Sequence, residues 1–363
     1  MRKSFFSLAI AILLLSSQAK SQGCVAIRNV AGFGQFAALG YKQTTDEWMM
    51  NINNRYFHAT QAFKGKDNVT PPDPNNGLSI YEYTMNLELS RILKKGWELA
   101  IDLPISSNTI VSKAEHASGV RHSTSDFGIG DLRFTAYKWL LNTEKPRKGN
   151  IQFGLGLKFP TGNYHSMDYF YYSKTDPTLK ILAPVNVAIQ LGDGGVGITT
   201  ELNAFYIFNR SFSVYSNFFY LISPVDVNGV SNQTAGVPPN PVAVATTADV
   251  NSVTDNYTLR AGGNFTFKRF VVTAGARYEG APAYDLFGKN DGLRRVGHIF
   301  SIEPGVEYKF KRSFIYSFVT IPISRETIQT VPDKRATEIT GVYTISGGDL
   351  ASVVYFVGYA FTF

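Results

Sequence analysis

Ionisable side chains recur at alternate positions inside otherwise apolar segments of this 363-residue chain. Glu98 and Asp102 interleave with Trp97, Leu99, Ile101 and Leu103, and Lys158 sits between Leu157 and Phe159. Arg260, Arg277, Glu279, Glu303 and Glu307 occur in the same setting, and Asp131 and Arg133 stand two residues apart. Residues two apart on a β-strand share a face, so each set forms a ladder of charge. Such a ladder has two uses. Mixed charges on neighbouring strands cross-link an interior and hold it rigid, whereas rings of charge lining a passage set what moves through it. Near equality of acid and base argues against a strong general filter for anions or cations.

Other chemistries find little support. The five histidines, His58, His116, His122, His165 and His298, fall mostly in loops or at strand ends. His122 adjoins Ser123, but in a polar stretch without a nucleophile signature. No spacing suits zinc or calcium, and no glycine-rich loop is built to cradle phosphate. An enzyme is therefore not expected, and no cofactor or metal is implied. A single cysteine, Cys24, excludes an internal disulfide framework.

The elements that must position the charges are strands. Composition is 44% hydrophobic, 17% charged and 14% aromatic, with 32 Gly, 27 Phe and 20 Tyr, which suits aromatic strands punctuated by glycine. The longest strongly apolar run, Leu8 to Leu15, is far short of the roughly 20 residues of a membrane-spanning helix. Tyr81, Tyr83, Met85, Leu87 and Leu89 alternate with Glu82, Thr84, Asn86, Glu88 and Ser90, and the pattern recurs down the chain. A soluble sandwich also alternates, but it would bury those carboxylates in a dry core at several kcal/mol per unpaired charge. A wet lumen with lipid outside removes that difficulty.

Candidate strands fall at 48–60, 79–92, 97–106, 127–141, 149–160, 195–208, 211–223, 255–267, 269–280, 297–310, 313–324 and 350–363. Short connections alternate with long ones at 61–78, 107–126, 161–194, 224–254, 281–296 and 325–349. The expected fold is an all-β, transmembrane, antiparallel up-and-down barrel of about twelve strands with both ends periplasmic. Ile181 to Gln190 is either part of a loop or a further strand, and in the second case one more strand is needed to keep an even number, fourteen in all. The final strand places Ala351, Val353, Tyr355, Val357, Tyr359 and Phe361 on one face and ends on Phe363. That ending resembles the C-terminal signal by which outer-membrane proteins engage their barrel-assembly machinery.

Arg2 and Lys3, the apolar run from Phe5 to Leu15 and Ala19-Lys20-Ser21 have the layout of a secretory signal, so residues 1–21 are expected to be a leader for Sec export. A lipid anchor on Cys24 is the lesser alternative, because Ser21 and Gln22 do not fit it. Loss of Arg2, Lys3 and Lys20 lowers the formal charge from +7 to +4, so the basic balance is no nucleic-acid footprint. Residues 22–46 show no period and read as a periplasmic tail or a plug folded into the lumen, with the barrel at 47–363.

Three stretches carry a resemblance. Gly128-Ile129-Gly130-Asp131-Leu132-Arg133 is followed by Tyr137-Lys138; Leu157 to Gly162 ends in Pro-Thr-Gly; Gly280 to Gly288 precedes Gly292 to Arg295 and Glu303-Pro304-Gly305. From about residue 125 onward the chain resembles outer-membrane proteins of the "MetA-pathway of phenol degradation" type, in particular a Bacteroidetes subgroup. The resemblance implies a barrel transporter and says little about substrate.

Two loop features complete the candidates. Tyr164, Tyr169, Phe170, Tyr171 and Tyr172 crowd one loop, where they either capture an apolar or aromatic solute by stacking or join the interfacial aromatic girdle. Asp285 with Arg294 and Arg295 either pins a loop to the wall or binds a carboxylate. The expectation is a monomeric outer-membrane channel, embedded in lipid, for passive movement of small apolar or aromatic solutes. The alternatives are a surface barrel with partner-binding or adhesive loops and, further behind, a barrel phospholipase.

Overall fold

A strand with apolar side chains on one face and polar ones on the other satisfies both a bilayer and a wet interior only when its sheet closes on itself, because an open edge in lipid leaves backbone groups unpaired. The computed structural model, which describes residues 22–23, 47–143, 147–176, 178–238 and 240–363, takes that form. Its main sheet holds β1 (Glu47–Ala59), β2 (Ser79–Ile92), β3 (Trp97–Ser112), β4 (His122–Ile129), β5 (Leu132–Trp139), β6 (Gly149–Phe159) and β7 (Gly197–Ile207). It continues with β8 (Phe212–Ile222), β9 (Asn256–Phe267), β10 (Phe270–Ala281), β11 (Gly297–Lys309), β12 (Ser313–Thr327) and β13 (Val354–Thr362). Neighbours in sequence pair antiparallel except β4 and β5, which both pair with β3, and β13 closes the ring on β1 through Met49 opposite Thr362 and Phe57 opposite Val354. Twelve strands complete the circle; β4 is an addition to it.

Outward residues are the apolar ones. Leu155 and Tyr355 are each 51% exposed, which is the mark of side chains meant for lipid. Inward residues are polar and buried: Glu82, Glu98, Glu201 and Glu303 are all at or below 4% exposure. Tight turns join strands at one end, as at Lys268, whose φ of 54° turns the chain from β9 into β10. The opposite end carries the long loops.

Two strand bounds are corrected, and the alternative of an extra barrel strand at 181–190 is set aside. The long loop expected at 107–126 shrinks to residues 113–121, because β3 runs on to Ser112 and β4 begins at His122. Thr109 and Ser125, outward and exposed, pair their hydroxyls at 3.0 Å, so these strand ends lack the apolar face that marks a lipid-facing segment. Ile181–Gln190 is not a barrel strand: Lys180–Pro184 pairs with Met167–Tyr171 as a hairpin outside the main sheet. Leu350 and Ala351 precede the last strand and are buried in an apolar cluster instead of facing lipid.

The strand expected at 127–141 is broken. β4 and β5 both pair with β3, at Ile105 opposite Ile129 and at Asp102 opposite Arg133, so one extra residue is accommodated around Gly130 and Asp131. Inward parity switches there, from Thr124 on β4 to Arg133 and Thr135 on β5. On the other side, β6 pairs with β5 only as far as Phe159 opposite Leu132. The second edge of β4 therefore meets no strand of the main sheet; it lies beside the Met167–Tyr171 hairpin, with Ser125 N–H donating to Asp168 at 2.9 Å.

Gln22–Gly23 runs parallel to Gly348–Asp349 among the loops. The remainder of the 22–46 tail or plug, the leader and Cys24 lie outside the described residues.

Large inward rings are seated over small residues. A Cβ on Gly358 would sit 2.1 Å from Cζ of Tyr316, whose hydroxyl accepts from Asn53 at 2.7 Å and donates to Asn51 at 3.0 Å. Gly358→Val is therefore expected to cost about 1–3 kcal/mol through overpacking, read as a lowered urea midpoint of the heat-modifiable form on a gel.

Candidate functional site

Inward parity brings the ladder charges together as ion pairs. Arg133 on β5 donates to Asp102 on β3 at 2.8 Å and to Glu201 on β7 at 2.7 Å, and its guanidinium lies 5.6 Å from the ring centre of Phe219. Tyr137 adds a hydroxyl donor to Glu201 at 3.1 Å, and Asn86 donates to Asp102 at 3.1 Å. Gln152 donates to Glu98 at 3.1 Å. Lys158 holds Asp131 at 3.1 Å and Asp193 more closely still.

A second group occupies β9 to β11. Arg260 and Arg277 are directly opposed across β9 and β10, a like-charge arrangement that is unfavourable by itself. Glu303 relieves it, bonding Arg260 through both oxygens at 3.0 and 3.1 Å and lying 3.7 Å from Arg277, while Glu279 takes Arg277 at 2.6 Å. Glu307 lies 3.8 Å from Lys309. All ten ladder residues singled out from sequence thus face inward, nine of them in ion pairs and Glu98 bonded to the neutral amide of Gln152. Sequence reasoning missed Glu201 as the second anchor of Arg133, Arg55 with Glu82 at 3.1 Å, and Asp193 from a loop. The alternation Ile198, Leu202 against Thr199, Glu201, Asn203 carried the signal for the first.

Above these pairs the loops fold over the barrel. Val185 to Leu191, between the hairpin and β7, turns into the mouth: Ala188, Ile189 and Gln190 are fully buried, and Asn108 of β3 donates to the Ile189 carbonyl at 3.1 Å. This segment packs with Phe57, Ile80, Ile110, Ile299 and Phe356 as the apolar cluster of the lumen. Gly128 and Gly130 let it approach the wall break, since a Cβ on either would come within 2.9 Å of a neighbouring side chain, Leu191 or Pro104.

Beneath the infolded segment lies a cavity of about 200 Å³. Its apolar wall is Val187, Phe219, Leu221, Leu293, Ile299 and Leu350; its charged wall includes Asp102, Asp131, Arg133, Lys158 and Glu279. Asp131 places it against the break between β4 and β5.

The mouth aromatics do not converge on it. Phe170 is buried beside His116, Tyr171 stacks on His122 at 3.8 Å, and Tyr169 and Tyr172 are exposed, the former under Lys180. Tyr164 packs at 4.1 Å from His165. Burial pushes His116 down to about 4, so its neutral ring accepts the Tyr171 N–H at 3.2 Å and ties the hairpin to the loop before β4. Asp285 and Arg294 form a close, fully buried ion pair; Arg294 also donates to Ser252 and Asn290 at 3.0 Å and to the Ala283 carbonyl at 3.2 Å. Arg294→Ala is expected to raise the rate of protease cleavage within 282–296 about tenfold or more while the urea midpoint of the barrel changes little, because these bonds join loop to loop.

No family model matches the sequence, and no curated protein matches it either. Among solved structures, an outer membrane channel from Pseudomonas putida F1 superposes with a TM-score of 0.58 over 89% of this chain and 98% of that one, at 10% identity. A FadL homologue from Pseudomonas aeruginosa (TM-score 0.41, 10% identity, 87% and 89% covered) and the toluene transporter TbuX of Ralstonia pickettii (0.40, 9%, 88% and 90%) are more distant. Only the first likeness bears on the fold, and it agrees with the strand topology. The chain has the fold of an outer-membrane β-barrel.

Proposed function

We propose that this barrel is an outer-membrane channel through which small organic solutes, apolar or aromatic, pass down their gradient. The observation that carries it is the cavity of about 200 Å³, walled by Phe219, Leu221, Leu293 and Leu350 on one side and by paired charges on the other. An apolar cavity of about 150 Å³ accommodates benzene, so a single aromatic ring with a polar substituent suits this one. The next inward residues toward the short turns, including Glu201 and Arg277, do not line it and lie in the paired layer. A solute in the cavity meets closed ion pairs below and, beside it, the wall break at Gly128 to Asp131, where β4 has no main-sheet partner on its second edge and Leu191 packs against Gly128. The route therefore runs from the loops into the cavity and out through the wall at Gly128 to Asp131.

The resemblance of Gly128–Arg133, Leu157–Gly162 and Gly280–Gly288 with Gly292–Arg295 to the phenol-pathway family supports the same function; export by a leader at 1–21 and insertion as a monomer through the strand ending in Phe363 belong to the same proposal. The test is uptake of radiolabelled phenol and toluene by Gram-negative cells with and without the protein. Faster uptake on expression is expected; equal rates with the protein present in the outer membrane contradict transport.

A further inference from the structure

Two cavities sit on either side of the infolded segment. The inner one is described above; the outer, smaller one is lined by Leu78, Glu115, Phe170, Asn186 and Gln233, and the two share Val187 and Arg295. Arg295 is thus part of the partition between surface and lumen. Its guanidinium donates to the Asn186 side-chain oxygen at close range, and the Asn186 amide donates in turn, also closely, to Glu115. The chain of bonds joins three loops, those before β11, β7 and β4, and its middle member stands on the infolded segment. Asn186 is well placed to hold that segment, because its side-chain oxygen also accepts the Ala188 N–H at 3.0 Å and its carbonyl the Ile189 N–H at 3.0 Å. Arg294, next in sequence, is fixed to its own loop by Asp285 and Asn290 and to the loop before β9 by Ser252, which gives Arg295 a rigid base.

We infer that Arg295, through Asn186 and Glu115, latches the segment 185–191 over the cavity and so gates solute entry. This gating role rests on the channel function proposed above. The side chains of Ala188 and Ile189 move with the segment but contribute no polar bond to the latch, so opening exposes them to water.

Exposure supplies a test that does not depend on transport. In protein lacking Cys24 and carrying Ala188→Cys, alkylation by a water-soluble maleimide is expected to accelerate about tenfold when Arg295→Ala is added, the scale of one charge-assisted hydrogen bond. Asn186→Ala should act similarly. In proteoliposomes the same two substitutions, without the cysteine, should raise benzoate uptake by a comparable factor, with heat-modifiable migration retained. Unchanged alkylation in both variants overturns the latch whatever the uptake. Faster alkylation, with no benzoate uptake by any form and no gain in phenol or toluene uptake by cells that make the protein, leaves the latch standing and removes the channel.

Discussion

Arg133→Met is expected to destabilise the barrel by about 3–5 kcal/mol, the usual cost of removing one partner from a buried charge network. Arg133 is buried and neutralises two carboxylates on different strands, Asp102 at 2.8 Å and Glu201 at 2.7 Å. Met keeps much of the side-chain volume beside Phe219 but supplies no donor, so two carboxylates are left buried without a cationic partner, with Asn86 donating to Asp102 and Tyr137 to Glu201. The measurement is the urea midpoint of the folded form in detergent. Combining Arg133→Met with Asp102→Asn and Glu201→Gln removes the uncompensated charge and should recover most of the loss. A single variant as stable as the parent would mean that the pairs are solvated and contribute little.

Thr254→Trp is expected to lower solute uptake at least tenfold while leaving the barrel folded. Thr254 lines the cavity near Phe219, Leu221 and Leu293 and is only half-buried. Its backbone carbonyl accepts from Ser223 and Asn256 at 3.2 and 3.0 Å, and both bonds survive a change of side chain. An indole in a space of about 200 Å³ leaves no room for a second ring. Uptake of radiolabelled phenol by cells matched for surface protein reads the effect; an unchanged rate would move the solute path elsewhere.

Much of the barrel was legible because lipid and lumen impose opposite demands on alternate residues. Ile151 to Phe159 against Gln152 to Lys158 is as clear in the sequence as in β6. The pattern fades where a strand leaves the bilayer: His122-Ser123-Thr124-Ser125 is polar on both faces and reads as loop, although it forms the first half of β4. The break at Gly130 is invisible to periodicity because parity resumes one residue out of step on Leu132 to Trp139. Loop structure was mostly lost as well. The helix Val331–Thr340 could have been read from its capping box, in which the Thr330 hydroxyl accepts from Asp333 N–H and the Asp333 carboxylate from Thr330 N–H. Nothing local announces that Val185 to Leu191 folds inward, since its apolar residues find partners on strands more than a hundred residues away, such as Ile299 and Phe356.

At the candidate site, sequence supplied the inward ladder but not the pairing. Which acid meets which base depends on register between strands distant in sequence, as when Glu303 on β11 reaches Arg260 on β9. The aromatic loop shows the opposite failure. Five rings in close sequence diverge: the hairpin pairing alternates Tyr169, Phe170 and Tyr171 between faces, and Tyr164 and Tyr172 lie outside the paired strand.

Diffraction from crystals soaked in 4-bromophenol tests the claimed solute site most directly. The expected result is an anomalous bromine peak in the cavity among Phe219, Leu221, Thr254 and Leu293, lost in Thr254→Trp. Bromine found only on the lipid-facing surface, with the cavity empty at concentrations that saturate uptake, would contradict it.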